Sequence, residues 1–119
     1  MTCGIDIVEI KRIENWAVTR GNSLSRFYTE GELAYCASRG RGKYASLAGI
    51  FAAKEAFWKA VGTGFRQGKW QDVEVAHDDL GAPRFILHGP YCAVAELRSL
   101  PALSIAHDGA YAIAQVVWP

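Results

Sequence analysis

The sequence predicts an α+β fold: a mainly antiparallel sheet packed on a long central helix. Three observations point there. One stretch from Leu47 to Val61 has helix-forming composition and a wide apolar stripe. Two strand–turn–strand patterns follow it, and the second turns at Asp108-Gly109, a strong hairpin signal. A β-branched strand pattern stands alone at the start of the chain.

In order, Cys3 to Ile10 reads as a strand. Alternation sets Ile5, Ile7 and Glu9 on one face and Asp6, Val8 and Ile10 on the other. Lys11 to Ala17 reads as a short helix with Ile13 and Trp16 inward. Thr29 with Glu32 forms a capping-box pattern, so a second helix starts there, with Leu33, Cys36 and Ala37 on its buried side. Ser38 to Lys43 breaks it with two glycines and three cations. In the long helix, Leu47, Ile50/Phe51, Ala53/Lys54, Phe57/Trp58 and Val61 recur at three- and four-residue steps, and Gly62 is placed for a left-handed cap. Asp72 to His77 and Arg84 to His88 read as a hairpin. Gly89-Pro90 opens a helix with Tyr91, Val94, Ala95 and Leu97 on its apolar side, ending at Pro101. Leu103 to His107 and Tyr111 to Val117 are the last two strands.

Composition bounds function. With 119 residues, half of them hydrophobic, the chain is expected to fold as a single domain over residues 1–119. A formal net charge of +1 with no aromatic-basic stripe argues against nucleic acid, and no apolar run or signal sequence argues for a membrane. Cys3, Cys36 and Cys92 are odd in number and lack metal-site spacing, which suits reduced thiols in a cytoplasmic protein.

The residues that point to chemistry are few. Asp6 is the odd member of an apolar strand, so it is either paired, metal-bound or capping a loop. Glu55 and Lys59 lie one helical turn apart, on the same face as Ala48 and Ala52, either as a surface ion pair or as groups facing a ligand. Arg39, Arg41 and Lys43 in a glycine-bearing loop can grip phosphate. The Gly64 to Gly68 exit follows a helix C-terminus, where the dipole repels anions. A phosphate there needs side chains such as Lys59 and Arg66, or a metal. Lys11, Arg12, Arg20 and Arg26 form either a solvated face or a docking surface for an acidic partner. His107 stands at a strand end beside a turn, where site residues gather. The aromatic set Phe51, Phe57, Trp58, Phe65, Trp70, Phe85 and Trp118 is large for so small a chain. Some of it is expected to be hidden against copies of the same chain.

Three segments, in order, closely resemble the holo-[acyl-carrier-protein] synthases, the small trimeric branch of the 4'-phosphopantetheinyl transferase superfamily. They are Gly4-Ile5-Asp6-Ile7-Val8-Glu9-Ile10, Phe51-Ala52-Ala53-Lys54-Glu55-Ala56-Phe57-Trp58-Lys59-Ala60-Val61-Gly62-Thr63-Gly64, and Ser104-Ile105-Ala106-His107 with Tyr111-Ala112. The resemblance spans residues 3 to 117. It implies the fold of that superfamily and a homotrimer with active sites between subunits. It also implies Mg2+-dependent transfer of 4'-phosphopantetheine from coenzyme A to a serine of apo acyl carrier protein, which releases adenosine 3',5'-bisphosphate and serves fatty acid biosynthesis. By motif match, Asp6 and Glu55 are the metal ligands. Lys59 is the lysine near the pyrophosphate, and His107 is the family's Ser-Ile-x-His histidine. Glu55, or a metal-bound water that it orients, takes the serine proton. Arg12, Arg20 and Arg26 are the expected carrier-docking cations. Asp6, Glu55 and Lys59 are expected from one subunit, with His107 and cations of the 39–43 loop from its neighbour. One position departs: many members have Arg where Ile50 stands, which puts a phosphate or carrier contact in question. An inactive nucleotide-binding module is the competing class, and the joint presence of Asp6, Glu55, Lys59 and His107 argues against it.

Overall fold

The computed structural model describes residues 1–62 and 67–119. Strand β1 (Thr2–Glu9) leads straight into helix α1 (Ile10–Thr19). A 3-10 segment (Gly21–Arg26) connects to α2 (Glu30–Ser38), and a 3-10 turn (Gly40–Gly42) to the long helix α3 (Lys43–Val61). Then follow the hairpin β2 (Val73–His77) and β3 (Pro83–Leu87), helix α4 (Cys92–Arg98), and the hairpin β4 (Ala102–Asp108) and β5 (Tyr111–Trp118). All strand pairs are antiparallel. The larger sheet has the order β1-β5-β4, and β2-β3 forms a second, two-stranded sheet.

The predicted fold class holds, with local differences. Ile10 begins α1 instead of ending β1, because the chain turns as Ile10 N donates to Ala110 O, 2.8 Å away, in the β4–β5 turn. Helix α3 starts at Lys43, four residues before Leu47, so Lys43 belongs to its first turn. Its far end closes as expected, with Gly62 at φ 94° and its N–H donating to Trp58 O. The Thr29–Glu32 capping box forms as read. Two residues assigned to buried faces lie outside: Ala37 is exposed, and Leu97 is 86% exposed because α4 is short and ends before that face meets the core.

The larger sheet lies directly on α3. Its inner face carries Gly4, Val8, Ala112, Ala114, Val116 and Trp118, all buried. Ala48, Ala52 and Ala56 face that sheet and are fully buried. They are small because the strands come close, so the small-residue face of α3 is packed, and ligand access is confined to its edge. Gly4 marks the tightest point. A Cβ built there would overlap Ala56 O and stand 2.8 Å from Ala60 N, so only glycine lets β1 pass.

Much of the aromatic surface is covered within one chain. Phe57 packs against Trp58, Phe85, Tyr91 and Trp118 at ring separations of 5.3 to 6.4 Å, and all five are buried. Of the aromatic set expected to hide some of its surface against copies of the chain, Phe57, Trp58, Phe85 and Trp118 are covered within one chain, while Phe51 and Trp70 are partly exposed. Phe65 lies outside the described residues. Among the exposed large apolar residues described, Ile5 and Ile7 stand together on the outer face of β1, and Tyr111 is the exposed aromatic.

Gly4→Ala is expected to cost about 3 kcal/mol of folding stability, because backbone cannot yield to the added methyl. Gly21→Ala, whose Cβ meets nothing within 4 Å, should stay within about 0.5 kcal/mol of the parent. Urea denaturation of the two variants checks this, and equal losses would refute the close-packing account.

Candidate active site

The passage of β1 over α3 sets Asp6 against the C-terminal half of the helix. Lys59 Nζ donates to Ile5 O at 2.9 Å and meets Asp6 Oδ1 at 3.2 Å. Asp6 is thus a paired carboxylate whose side chain keeps 18% exposure, while Lys59 keeps 54%. Glu55, one turn before Lys59, is half-buried beside them. Burial and the neighbouring Asp6 charge push its carboxyl above the usual carboxylate range, and Lys59 and Arg12 oppose that rise. Two carboxylates, one ammonium and one guanidinium therefore act on one another at this edge.

Lys54, the residue before Glu55, has the opposite environment. The sequence set it in the apolar stripe, and it is fully buried. Its ammonium donates to Glu32 Oε1 at 2.8 Å, Phe27 O at 2.7 Å and Trp70 O at 3.0 Å. Glu32 is buried too. It accepts from Thr29 N at 2.7 Å and Val75 N at 2.8 Å, so the capping-box glutamate is also a core anion. Burial pushes Glu32 up and Lys54 down, and each partner resists the other's shift. Sequence reading missed this pair, although a lysine inside an apolar stripe requires a buried acceptor somewhere.

His107 lies elsewhere. Its Nε2 is 2.9 Å from Ala45 O, and a Cβ on Gly49 would stand 2.9 Å from it. Glu55 lies roughly 15 Å further along the axis of α3 than Ala45. Within one chain the histidine and the carboxylates are apart. His107 instead lines a cavity of about 100 Å³ with Tyr35, Gly49, Ile50, His77 and Pro83. Ile50, the departure from the family pattern, is an apolar wall of that cavity and is buried. Tyr35 stacks on His77 at 3.8 Å, and the Arg39 guanidinium sits 5.7 Å from the Tyr35 ring. Arg41 and Lys43 are exposed at the start of α3. Arg66 lies outside the described residues.

Of the early cations, Lys11 is engaged by Glu14 at 2.7 Å. Arg12, Arg20 and Arg26 are exposed. Arg12 also borders a second cavity, of about 370 Å³, with Ile13, Trp16, Phe27 and Phe51. No residue pattern had signalled this pocket, since its walls come from α1, the segment before α2, and α3. The described cysteines are unpaired, and burial pushes the Cys36 thiol up to about 12. Among the described residues no group of three or more His, Cys, Asp or Glu converges on a metal site, which leaves Asp6 and Glu55 as a two-carboxylate set. No helix among them is long and apolar enough to cross a membrane.

Because the folded carboxyl of Glu55 is raised above its ordinary value of 4.5, ionising it costs the folded state. The stability that its protonated form lends at low pH is lost as pH rises through the folded pKa. Glu55→Gln should therefore melt higher than the parent in chelator at pH 7 to 8. The difference should close below the ordinary carboxylate range. Melting curves from about pH 4 to 8 test this, and a Glu55→Gln protein that melts lower at neutral pH would contradict it.

Comparison with known proteins places the chain. A family model described as the 4'-phosphopantetheinyl transferase superfamily matches residues 2–116. The chain is 47% identical to a holo-[acyl-carrier-protein] synthase of Geobacter sulfurreducens, over 96% of this chain and 93% of that one. It is 42% identical to the protein of that name from Solibacter usitatus, over 96% and 94%. Among solved structures it is similar to the holo-[acyl-carrier-protein] synthase of Neisseria meningitidis, with TM-score 0.88 and 34% identity over 99% of this chain and 97% of that one. It is also similar to the Helicobacter pylori synthase in complex with coenzyme A, with TM-score 0.84 and 34% identity over 98% and 99%. The chain belongs to the 4'-phosphopantetheinyl transferase superfamily, in its holo-[acyl-carrier-protein] synthase branch.

Proposed function

We propose that the chain transfers the 4'-phosphopantetheine group from coenzyme A to a serine of apo acyl carrier protein, and so serves fatty acid biosynthesis. The observation that carries this reading is the meeting of Asp6, Glu55 and Lys59 at one edge of α3.

Asp6 and Glu55 fit a magnesium ion. Both present hard oxygens, and Mg2+ is commonly held by one or two carboxylates. The rise that Asp6 imposes on Glu55 is what two anions produce when too little positive charge stands between them. A bound Mg2+ would neutralise the pyrophosphate and polarise the phosphorus under attack. Glu55 takes the serine proton as the Oγ–P bond forms, and a carboxyl raised above the usual range is a better base than an ordinary one. The P–O bond to adenosine 3',5'-bisphosphate breaks in the same displacement. Lys59, tethered to Ile5 O, steadies charge on the phosphoryl oxygens.

His107, Arg39, Arg41 and Lys43 form the other end of the coenzyme A site, and Arg66 is assigned there by its position in the motif. Support comes from the start of α3. Its first turn has no acid and no side-chain cap, so the positive end of its dipole favours an anion beside those cations. The carrier docks on Arg12, Arg20 and Arg26, and the apolar cavity beside Arg12 takes its uncharged contacts. Acyl carrier proteins are acidic, so the charges are complementary. Arg12 borders that cavity and its charge reaches Glu55, which supports a docking surface next to the base. The unpaired thiols suit a cytoplasmic location.

A homotrimer completes the site. The distance between His107 and Glu55 in one chain supports that reading. So does the apolar outer face of the larger sheet, where Ile5, Ala106 and Ile113 line a shallow cleft with Ser104 and Gln115.

Incubation of apo carrier protein with coenzyme A, Mg2+ and this protein should add a phosphopantetheine to the carrier, read by mass spectrometry. Glu55→Gln should slow that gain about 10²- to 10⁴-fold with the fold intact. An unmodified carrier, or a Glu55→Gln protein of normal rate, would end the proposal. For the shared site, Glu55→Ala and His107→Ala should each be impaired alone and regain activity when unfolded together and refolded as mixed trimers. Mixed trimers seen by native mass spectrometry without recovered activity would exclude it.

A further inference from the structure

The apolar cavity beside Arg12 is walled by rings, and a single buried cation ties the backbone of two members of that ring cluster. Trp16, Phe27, Phe51 and Trp70 form a closed circuit. Trp16 meets Phe27 edge-on at 5.0 Å and Phe51 at 6.2 Å. Trp70 stacks on Phe51 at 5.1 Å and meets Phe27 at the same separation. Trp16, Phe27 and Phe51 line the cavity, and Trp70 backs the last two. Phe27 and Trp70 come from segments outside the α-helices and strands. Both are tied to Lys54, whose ammonium takes the carbonyls of Phe27 and Trp70 together with Glu32.

A lysine ammonium has three N–H donors, and here it has three acceptors. Without it the buried Glu32 carboxylate would lose its counter-charge, and the carbonyls of Phe27 and Trp70 would each lose a charged donor. Glu32 in turn is tied to Thr29 N and Val75 N, so the node joins the entrance of α2, strand β2, α3 and the Trp70 turn. Rings placed by such a node present one fixed shape, which is what an apolar recognition pocket needs.

We infer that Lys54 is a positioning residue for carrier recognition: with Glu32 it fixes the aromatic walls of the pocket on which the carrier docks. This rests on the docking surface proposed above. Lys54 itself touches no substrate. It acts through Phe27 and Trp70, so its loss should change how the carrier is bound and leave the chemistry at Glu55 in place.

The test measures kinetics for carrier and coenzyme A separately, using the full-length protein. Removing one charge leaves the other buried and alone, so Lys54→Met is paired with the doubly neutral Lys54→Met/Glu32→Gln, and Lys54→Arg serves as the conservative variant. The two Lys54→Met proteins should raise KM for the carrier by about tenfold or more, while kcat at saturating carrier and KM for coenzyme A stay within about twofold. Lys54→Arg, which keeps the charge and donors, should recover part of the carrier KM. Near-ultraviolet circular dichroism should report the loosened tryptophan cluster in the Lys54→Met proteins. Phe51→Ala and Arg12→Glu probe the docking surface itself. If they raise the carrier KM and the Lys54 variants do not, the role of Lys54 is refuted. If they leave it unchanged, the docking surface is misplaced. A Lys54 variant that raises both KM values equally also overturns the inference, because it shows general loosening.

Discussion

The contact between the backbone of β1 and the backbone of α3 governs the rest of this structure. Gly4 comes so near Ala56 O that no side chain fits between them. The neighbours of that contact are the candidate site: Asp6 lies two residues beyond Gly4, and Glu55 and Lys59 flank Ala56 and Ala60 on α3. Once strand and helix are locked at this spacing, Lys59 reaches both Ile5 O and Asp6 without further adjustment. The alanines along the buried face of α3 serve the same end. They admit the sheet to the helix, and the small residues of β5 meet them from the other side.

Consecutive residues of α3 show how a helix separates tasks. Lys54 and Glu55 diverge by about 100° around the axis. That rotation takes Lys54 into a dry core where its charge must be matched bond for bond. It leaves Glu55 at an edge where its charge is only partly compensated. Lys59 returns to the edge one turn later. One ion pair is structural because it is complete. The other group of charges is available for chemistry because it is not, and its half-exposed members can exchange partners with a ligand.

Much of the fold was legible in the sequence. The periodicity of α3, the Thr29–Glu32 box and the Asp108-Gly109 turn are local signals, and each appears where local chemistry put it. The positions of Asp6, Glu55 and Lys59 were legible through motif and spacing, and their meeting followed from a strand and a helix that must pack. What sequence could not show was long-range. Glu32 pairs with Lys54 across 22 residues, and the pocket beside Arg12 is assembled from segments that share no pattern. The aromatic count was ambiguous for the same reason: which rings are covered within the chain depends on how two hairpins and a short helix close over α3, and they bury Phe57 and Trp118 fully while Phe51 and Trp70 keep some exposure. Leu97 failed in the reverse direction, since a short α4 cannot turn all its apolar residues inward.

The placement of the two ends of α3 bears on how such a small protein can act on two substrates. A 19-residue helix spans most of the molecule, with cations and His107 at its start and carboxylates near its finish. A donor gripped by phosphate at the first end cannot also be cradled by the second within one chain unless it stretches along the whole helix, where the sheet already lies. The homotrimer proposed above offers another solution, and Ile5 and Ile7 on the outer face of β1 are exposed aliphatic surface on which a second copy would pack. The close packing of β1 on α3 thus has two consequences. It builds the carboxylate edge, and by filling the inner face of the sheet it leaves the outer face as the surface on which copies can meet.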